Sequence, residues 1–465
     1  MRGPSEAFPL DEASLLAALE GAPAPDGPRI RDLLAKAREL KGLDETDLPP
    51  LMALEDPELL QELFATARWV KEQIYGTRIV LFAPLYVSNL CGNECLYCAF
   101  RASNRTLPRR ALGPAEIAAE AAQLLARGHK RVLLVAGEAY PEDGLDYILK
   151  AIRTVYATRH GGDRIRRVNV NIAPLDLGGF RRLKDEGIGT YQLFQETYHR
   201  GTYARMHPRG LKADYDWRLG CMDRAMQAGI DDVGLGALFG LHDWRFEVLA
   251  LLRHARHLED RFGCGPHTLS VPRLEPAEGS ATSAAPPQAV SDAAFRKLIA
   301  ILRLALPYTG LILSTRERPE IRREALELGV SQISAGSRTN PGGYEEDAPG
   351  TGAQFSLGDH RSLDEVVREL AGSGFLPSFC TACYRLGRTG ADFMDLAKPG
   401  QIKAHCLPNA LATLQEYAED HASPATRKAA ERLLAATLGG LEGLPRRRAE
   451  GLVELVRKGE RDVFC

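Results

Sequence analysis

From about residue 78 onward, eight short runs rich in β-branched and apolar residues alternate with amphipathic helical stretches. The runs are RIVLFAPLYVSN, RVLLVAGE, RVNVNIAP, TYQLFQET, DDVGLGALFGL, HTLSVPRL, GLILSTRE and SQISAGSRT. Strands separated by helices pair in parallel, because a parallel neighbour is reached only by a long crossover. Eight such repeats predict a closed (β/α)8, TIM-type barrel over residues 78–343. An open doubly wound sheet is the alternative that alternation alone leaves. Residues 1–77 carry helical apolar periodicity broken by Pro and Gly, and predict an N-terminal helical extension. Beyond 343 the alternation stops, and residues 344–465 read as a mainly helical domain with cysteines of its own. The Pro-rich, small-residue loop EPAEGSATSAAPPQAVSD, 275–292, follows the sixth strand and reads as a lid or tunnel wall.

Charge is balanced at a net −2 over 465 residues. Nucleic acid and anionic membranes both require a basic excess, so neither is an expected partner. The first residues, MRGPSEAFPLDEASLL, carry acid before any apolar run and do not read as a signal peptide. Without an apolar stretch of spanning length either, the chain is expected in the cytoplasm. Nine cysteines are few for this length, but five fall in two tight groups. In a reducing compartment such groups mean metal more often than disulfide.

The first group is SNLCGNECLYCAF, with Cys91, Cys95 and Cys98 directly after the first strand. Barrel active sites sit at strand C-terminal ends, where loops converge. Thiolates suit zinc and iron–sulfur clusters, and structural zinc closes with four ligands. Three thiols without a local fourth favour a 4Fe-4S cluster with one open iron, although a distant His or Cys could complete zinc. The second group, FCTACYRLGRTGADFMDLAKPGQIKAHCLPNAL, holds Cys380, Cys383 and Cys406, again three. It reads as a second 4Fe-4S cluster; zinc completed by His405 is the alternative. Cys221, Cys264 and Cys465 fit neither spacing and read as structural or incidental.

The Cys-x3-Cys-x2-Cys spacing, with aromatic Tyr97 before the last cysteine, resembles the motif of the radical S-adenosylmethionine superfamily. The second triad extends the likeness to the HydG family of tyrosine lyases, which mature the active-site cluster of FeFe-hydrogenase. The similarity runs from about residue 45 onward and includes QETYHRGTYARMHPRG, DYDWRLGCMDRAMQAGIDDVG, GPHTLSVPRL, SAGSRTNPGGY and FCTACYRLGRTG. The related thiamine-pathway tyrosine lyase lacks the second triad.

This resemblance implies S-adenosyl-L-methionine bound at the open iron and cleaved to a 5′-deoxyadenosyl radical. It implies L-tyrosine as substrate, split to p-cresol and dehydroglycine, then carbon monoxide and cyanide captured on a fifth "dangler" iron. An electron donor such as ferredoxin or flavodoxin, and hydrogenase maturation partners, are implied with it. Gly137 and Glu138 stand where the superfamily's "GGE" contacts the methionine amine, with Ala136 replacing the first Gly. Glu196 is placed for a ribose hydroxyl. Arg316 and Arg338, after the seventh and eighth strands, are candidates for the tyrosine carboxylate, because a guanidinium fork matches a carboxylate; Ser314 is expected beside them. His267 opens the sixth strand, at the opposite mouth, and matches the family histidine that ligates the dangler iron. A paralogue acting on another amino acid and a non-catalytic cluster scaffold are the alternative functions.

Overall fold

The computed structural model describes residues 8–21, 24–141, 143–345 and 352–465. Eight parallel strands follow one another around a closed barrel: β1 (Arg78–Ser88), β2 (Arg131–Ala136), β3 (Arg167–Asn171), β4 (Tyr191–Gln192), β5 (Val233–Gly236), β6 (Thr268–Ser270), β7 (Gly310–Leu313) and β8 (Gln332–Ser334). Closure is made by β8 on β1, with Val80, Leu81 and Phe82 opposite Gln332, Ile333 and Ser334. That pairing removes the open-sheet alternative. A ninth strand, β9 (Leu376–Ser378), adds to the outer start of β1, with Arg78 opposite Leu376.

Each strand is short and buried on both faces, as parallel barrel strands must be. Strand β1 shows the sorting most clearly. Ile79, Leu81, Ala83, Leu85 and Val87 join the main hydrophobic core beneath the helices. The intervening residues turn into the barrel: Arg78 and Val80 toward one mouth, Phe82, Pro84 and Tyr86 toward the other. A strand has a side-chain period of two, so one sequence supplies both a core face and a lumen face.

The outer layer begins with α1 (Pro57–Tyr75), started by Asp56, whose side chain accepts the Leu59 amide at 2.9 Å. Its buried stripe packs on α2 (Asp292–Ala305), the crossover helix between β6 and β7. Asp176, Asp243 and Ser291 cap three of the crossover helices in the same way, Ser291 being the cap of α2. After the barrel, Leu363–Gly372 leads into β9, and α3 (Lys403–Asp420) packs against β9 and the helix Gly443–Arg457. Residues 1–7 of the N-terminal extension lie outside the described residues. Among the described residues no helix is long and apolar enough to cross a membrane.

Arg303 on α2 ties the outer layer to the barrel floor. Fully buried, it donates to the carbonyl of Pro307 at 2.7 Å, of Thr309 at 2.9 Å, and twice to that of Gly329 at 2.8 and 3.1 Å. Burial lowers the guanidinium to about 10, so it stays charged at neutral pH. Replacing Arg303 by Met leaves these carbonyls dry and unpaired. We expect a loss of about 3 kcal/mol, read as a lower urea midpoint in the intact chain.

Candidate active site and second thiol centre

A cavity of about 180 Å³ occupies the C-terminal mouth of the barrel. Cys91, Cys95 and Cys98 line it from the loop after β1, together with Gly137 and Glu138 after β2, Glu196 after β4, and Ser314 and Arg316 after β7. Burial pushes all three thiols up, Cys98 to about 11. The loop is held from several sides. Ser280 of the Pro-rich segment donates to the Leu96 carbonyl at 2.7 Å, and Gln354 Nε2 reaches Cys98 Sγ at 3.8 Å. Tyr97 is buried, and its hydroxyl meets His207 Nε2 at 2.8 Å.

Glu138 and Glu196 are joined by Arg218. The guanidinium donates to Glu138 Oε1 at 3.0 Å and lies 3.5 Å from Glu196 Oε1, which also takes Lys212 Nζ at 2.6 Å. Asn93 Nδ2 donates to the other oxygen of Glu138 at 2.7 Å. Burial alone would raise both carboxyls, but Arg218 and Lys212 outweigh it and hold both below the usual carboxylate range. Glu196 sits at φ 70°, a left-handed conformation that a glutamate holds only where its surroundings fix it. At Gly137 a Cβ would come 2.2 Å from the Leu90 carbonyl, so only glycine lets the β2 end pass against the cysteine loop.

The opposite mouth holds a smaller cavity, about 40 Å³, built from strand starts. Arg78, Arg131 and Arg167 open β1, β2 and β3, and Asp232 and His267 immediately precede β5 and β6. Cys380 and Cys383 enter from the turn after β9, and Cys406 from the first turn of α3. Cys383 and Cys406 are hydrogen bonded; that bond lowers Cys383 and raises Cys406. Arg131 Nη2 donates to the Cys380 carbonyl at 2.7 Å. Burial drives His267 down to about 4, leaving a neutral imidazole. Its ring packs against Phe393 at 4.6 Å between centroids.

Residues 85–255 match the Radical SAM superfamily, and residues 270–376 match the Biotin and Thiamin Synthesis associated domain. The chain is 35% identical to 2-iminoacetate synthase of Escherichia coli (strain K12) across 74% of this chain and 88% of that one. A crystal structure of HydG, a maturase of the FeFe-hydrogenase, superposes with a TM-score of 0.95 at 48% identity, covering 98% of this chain and 99% of that one. This chain belongs to the HydG family of radical SAM enzymes. HydG from Carboxydothermus hydrogenoformans gives 0.83 at 43% identity over 95% of this chain and 97% of its own.

Membership of the HydG family implies a 4Fe-4S cluster and S-adenosylmethionine, and the associated domain points to a second cluster. The residues present fit. At the first mouth the thiol donors are three, on one wall of a cavity that also offers two carboxylates. At the second, Arg78 Nε, Arg131 Nε and Arg388 Nε are buried without hydrogen-bond partners among the described residues, around three thiols. Cations so placed suit an anionic thiolate-bound body. Among the described residues no group of three His, Cys, Asp or Glu side chains is close enough to hold a single metal ion. Separate corners of a cluster ask for no such convergence.

Most residues singled out in the sequence come together at these two mouths; Arg338 does not. Ser337 and Thr339 line the first cavity, while the intervening Arg338 is outside its lining and donates to the Ser337 carbonyl at 3.2 Å. Extended backbone sends alternate side chains to opposite sides. Arg316 does reach the cavity, its guanidinium lying 3.2 Å from the centre of the Phe355 ring. Lys212, Arg218, Asn93 and Gln354 were not anticipated. The only hint of Arg218 was its place in DYDWRLG, and Gln354 returns to the barrel from the segment read as the third domain.

Replacing Arg218 by Met removes the cation shared by the two carboxylates. Loss of such a neighbour raises a buried carboxyl pKa by about 1–3. Infrared difference spectra of the cluster-free protein, acidified stepwise, should then show carboxyl protonation setting in at a higher pH in the variant than in the wild type, over and above the buried Glu247, which is raised to about 8 in both.

Proposed function

We propose that this chain cleaves L-tyrosine at Cα–Cβ to p-cresol and dehydroglycine, then forms carbon monoxide and cyanide for an iron carbonyl–cyanide synthon used in FeFe-hydrogenase assembly. The observation that carries this reading is the pair of thiol triads at opposite mouths of one barrel, in a chain 48% identical to a HydG structure over 98% of its length. A 4Fe-4S cluster held by Cys91, Cys95 and Cys98, together with S-adenosylmethionine, would supply one-electron radical chemistry for hydrogen abstraction from the tyrosine amine.

The chain's own residues do the rest. Cys91, Cys95 and Cys98 hold the first cluster, with Tyr97 packed beside it. Gly137 and Glu138 take the methionine end of the cofactor, and Glu196 its ribose. Arg316, backed by Ser314, takes the tyrosine carboxylate; Arg338, the other candidate, does not line that cavity. A closed barrel would keep water from reactive fragments that pass from one cavity to the other. Cys380, Cys383 and Cys406 would hold the second cluster, and His267, its imidazole kept neutral by burial, would be the ligand for a fifth iron. The electron comes from a ferredoxin or flavodoxin, and the product passes to hydrogenase maturation partners. All nine thiols are free, in keeping with a reducing cytoplasm.

The test is anaerobic. Reconstituted protein given dithionite, tyrosine and S-adenosylmethionine should yield p-cresol, and carbon monoxide trapped by haem. Formation of 5′-deoxyadenosine without p-cresol would point to another amino acid, and no adenosine product to a scaffold. In a Cys380→Ala/Cys383→Ala double variant, p-cresol should persist while carbon monoxide falls to background. Loss of both products with the first cluster intact would refute the division of labour.

A further inference from the structure

Between Cys383 and Cys406 the chain crosses the N-terminal mouth of the barrel as a strap, and Arg388 and Phe393 form part of the second cavity's wall. Toward the barrel the strap is fastened by exposed contacts. Thr389 Oγ1 donates to Asp231 at 2.9 Å, and Lys398 Nζ to Glu259 at 2.5 Å. On its other side it is fastened by residues 461–465, a segment that no part of the proposed chemistry uses.

Two fastenings stand out. Arg385, two residues past Cys383, grips both carboxylate oxygens of Asp462 at 2.7 Å each, and its guanidinium stacks 4.2 Å from the Phe464 ring centre. Arg388 Nη2 donates to the main-chain oxygen of Cys465 at 2.8 Å. Cys465 is at the same time paired with Asn409, three residues past Cys406: its amide donates to Asn409 Oδ1 at 2.8 Å, and Asn409 Nδ2 donates to its main-chain oxygen at 3.1 Å. The segment therefore bridges the chain just after the Cys380–Cys383 pair to the chain just after Cys406.

Asp462 is also pinned to the barrel and to α3. Arg166 Nε lies 3.2 Å and Arg164 Nη2 3.4 Å from its carboxylate, while its amide donates to Glu416 Oε2 at 3.1 Å. Its φ is 62°, which places a non-glycine residue in the left-handed region. Such a residue persists where the surroundings over-determine it. Three arginines and a helix converge on one bent carboxylate.

We propose that residues 462–465 are a latch, and that Asp462 is a positioning residue that fixes the separation of the Cys380–Cys383 pair from Cys406. Charge-assisted, two-pronged bonds set geometry as well as energy. Without the latch the strap keeps the buried Phe393, Met394, Ala397 and Ile402 and its two exposed contacts, which are weak in water, but the turn just after Cys383 loses the carboxylate that grips Arg385. The second triad then loses its fixed spacing while the first, at the other mouth, keeps its own. The proposal rests on reading the second triad as a cluster site only for its effect on iron, not for its effect on the strap.

The experiment uses full-length Asp462→Ala, with Asp462→Asn to remove the charge at constant shape and Asp462→Glu as the conservative rescue. In metal-free protein, hydrogen–deuterium exchange of amides 384–402 should rise about tenfold in Asp462→Ala and Asp462→Asn, return toward wild type in Asp462→Glu, and stay unchanged around Cys91. After anaerobic reconstitution, iron should fall from about eight to about four per chain with p-cresol formation retained. Unchanged exchange across 384–402 in both Ala and Asn variants would overturn the latch. So would faster exchange with a full second iron complement. Wild-type protein binding only about four irons would overturn the cluster reading instead, and the exchange data alone would then decide the latch.

Discussion

The alternation of side chains along β1 is the constraint on which the rest of the molecule depends. Leu81, Ala83 and Leu85 anchor the strand under the helices, each burial contributing on the order of 1–3 kcal/mol for the larger side chains. The residues between them have no choice but the lumen. Because the sheet closes on itself, that lumen has two ends, and β1 contributes to both: Arg78 and Val80 at one, Phe82, Pro84 and Tyr86 at the other. Two centres in one barrel follow from strand geometry before any cofactor is considered.

The two ends are charged differently, and each is charged against the cost of burial. At the C-terminal mouth Arg218 and Lys212 keep Glu138 and Glu196 ionised although both are enclosed. At the N-terminal mouth burial, and then the neighbouring Arg167 and Arg78, bring Arg131 down to about 9. Unpaired buried cations destabilise a fold unless something anionic joins them. The first mouth pairs its two carboxylates internally and keeps Arg316 over, while the second carries Arg78, Arg131, Arg167 and Arg388 against Asp232.

Much of this was legible in the sequence because it depends on spacing. The thiol triads, the barrel and the placement of His267 at a strand start all follow from counting residues along regular elements. What escaped depends on direction or on return paths. Arg338 was a candidate for the tyrosine carboxylate from its place after the eighth strand, whereas its neighbours Ser337 and Thr339 line the cavity. Arg218 lies on a short helix, Tyr215–Leu219, whose side-chain direction is set by packing against the Phe194 carbonyl, which its Nε reaches at 2.7 Å. Gln354 and β9 come back to the barrel after the repeats have ended, and no periodicity announces a return. The Pro-rich segment 275–292, read as a lid or tunnel wall, meets the cysteine loop through Ser280.

A consequence follows from the ninth strand. Because β9 hydrogen bonds to the same strand whose other end carries the first cysteine loop, both thiol groups hang from one beam, Arg78–Ser88. At about 3.3 Å per residue and a tilt of about 36°, that beam measures roughly 27 Å along the barrel axis. Single substitutions cannot shorten it. Inserting or deleting one residue within it would exchange the oily and lumen-facing sets beyond that point, so the separation of the two mouths is inherited as a fixed quantity, open to change only by rebuilding the barrel.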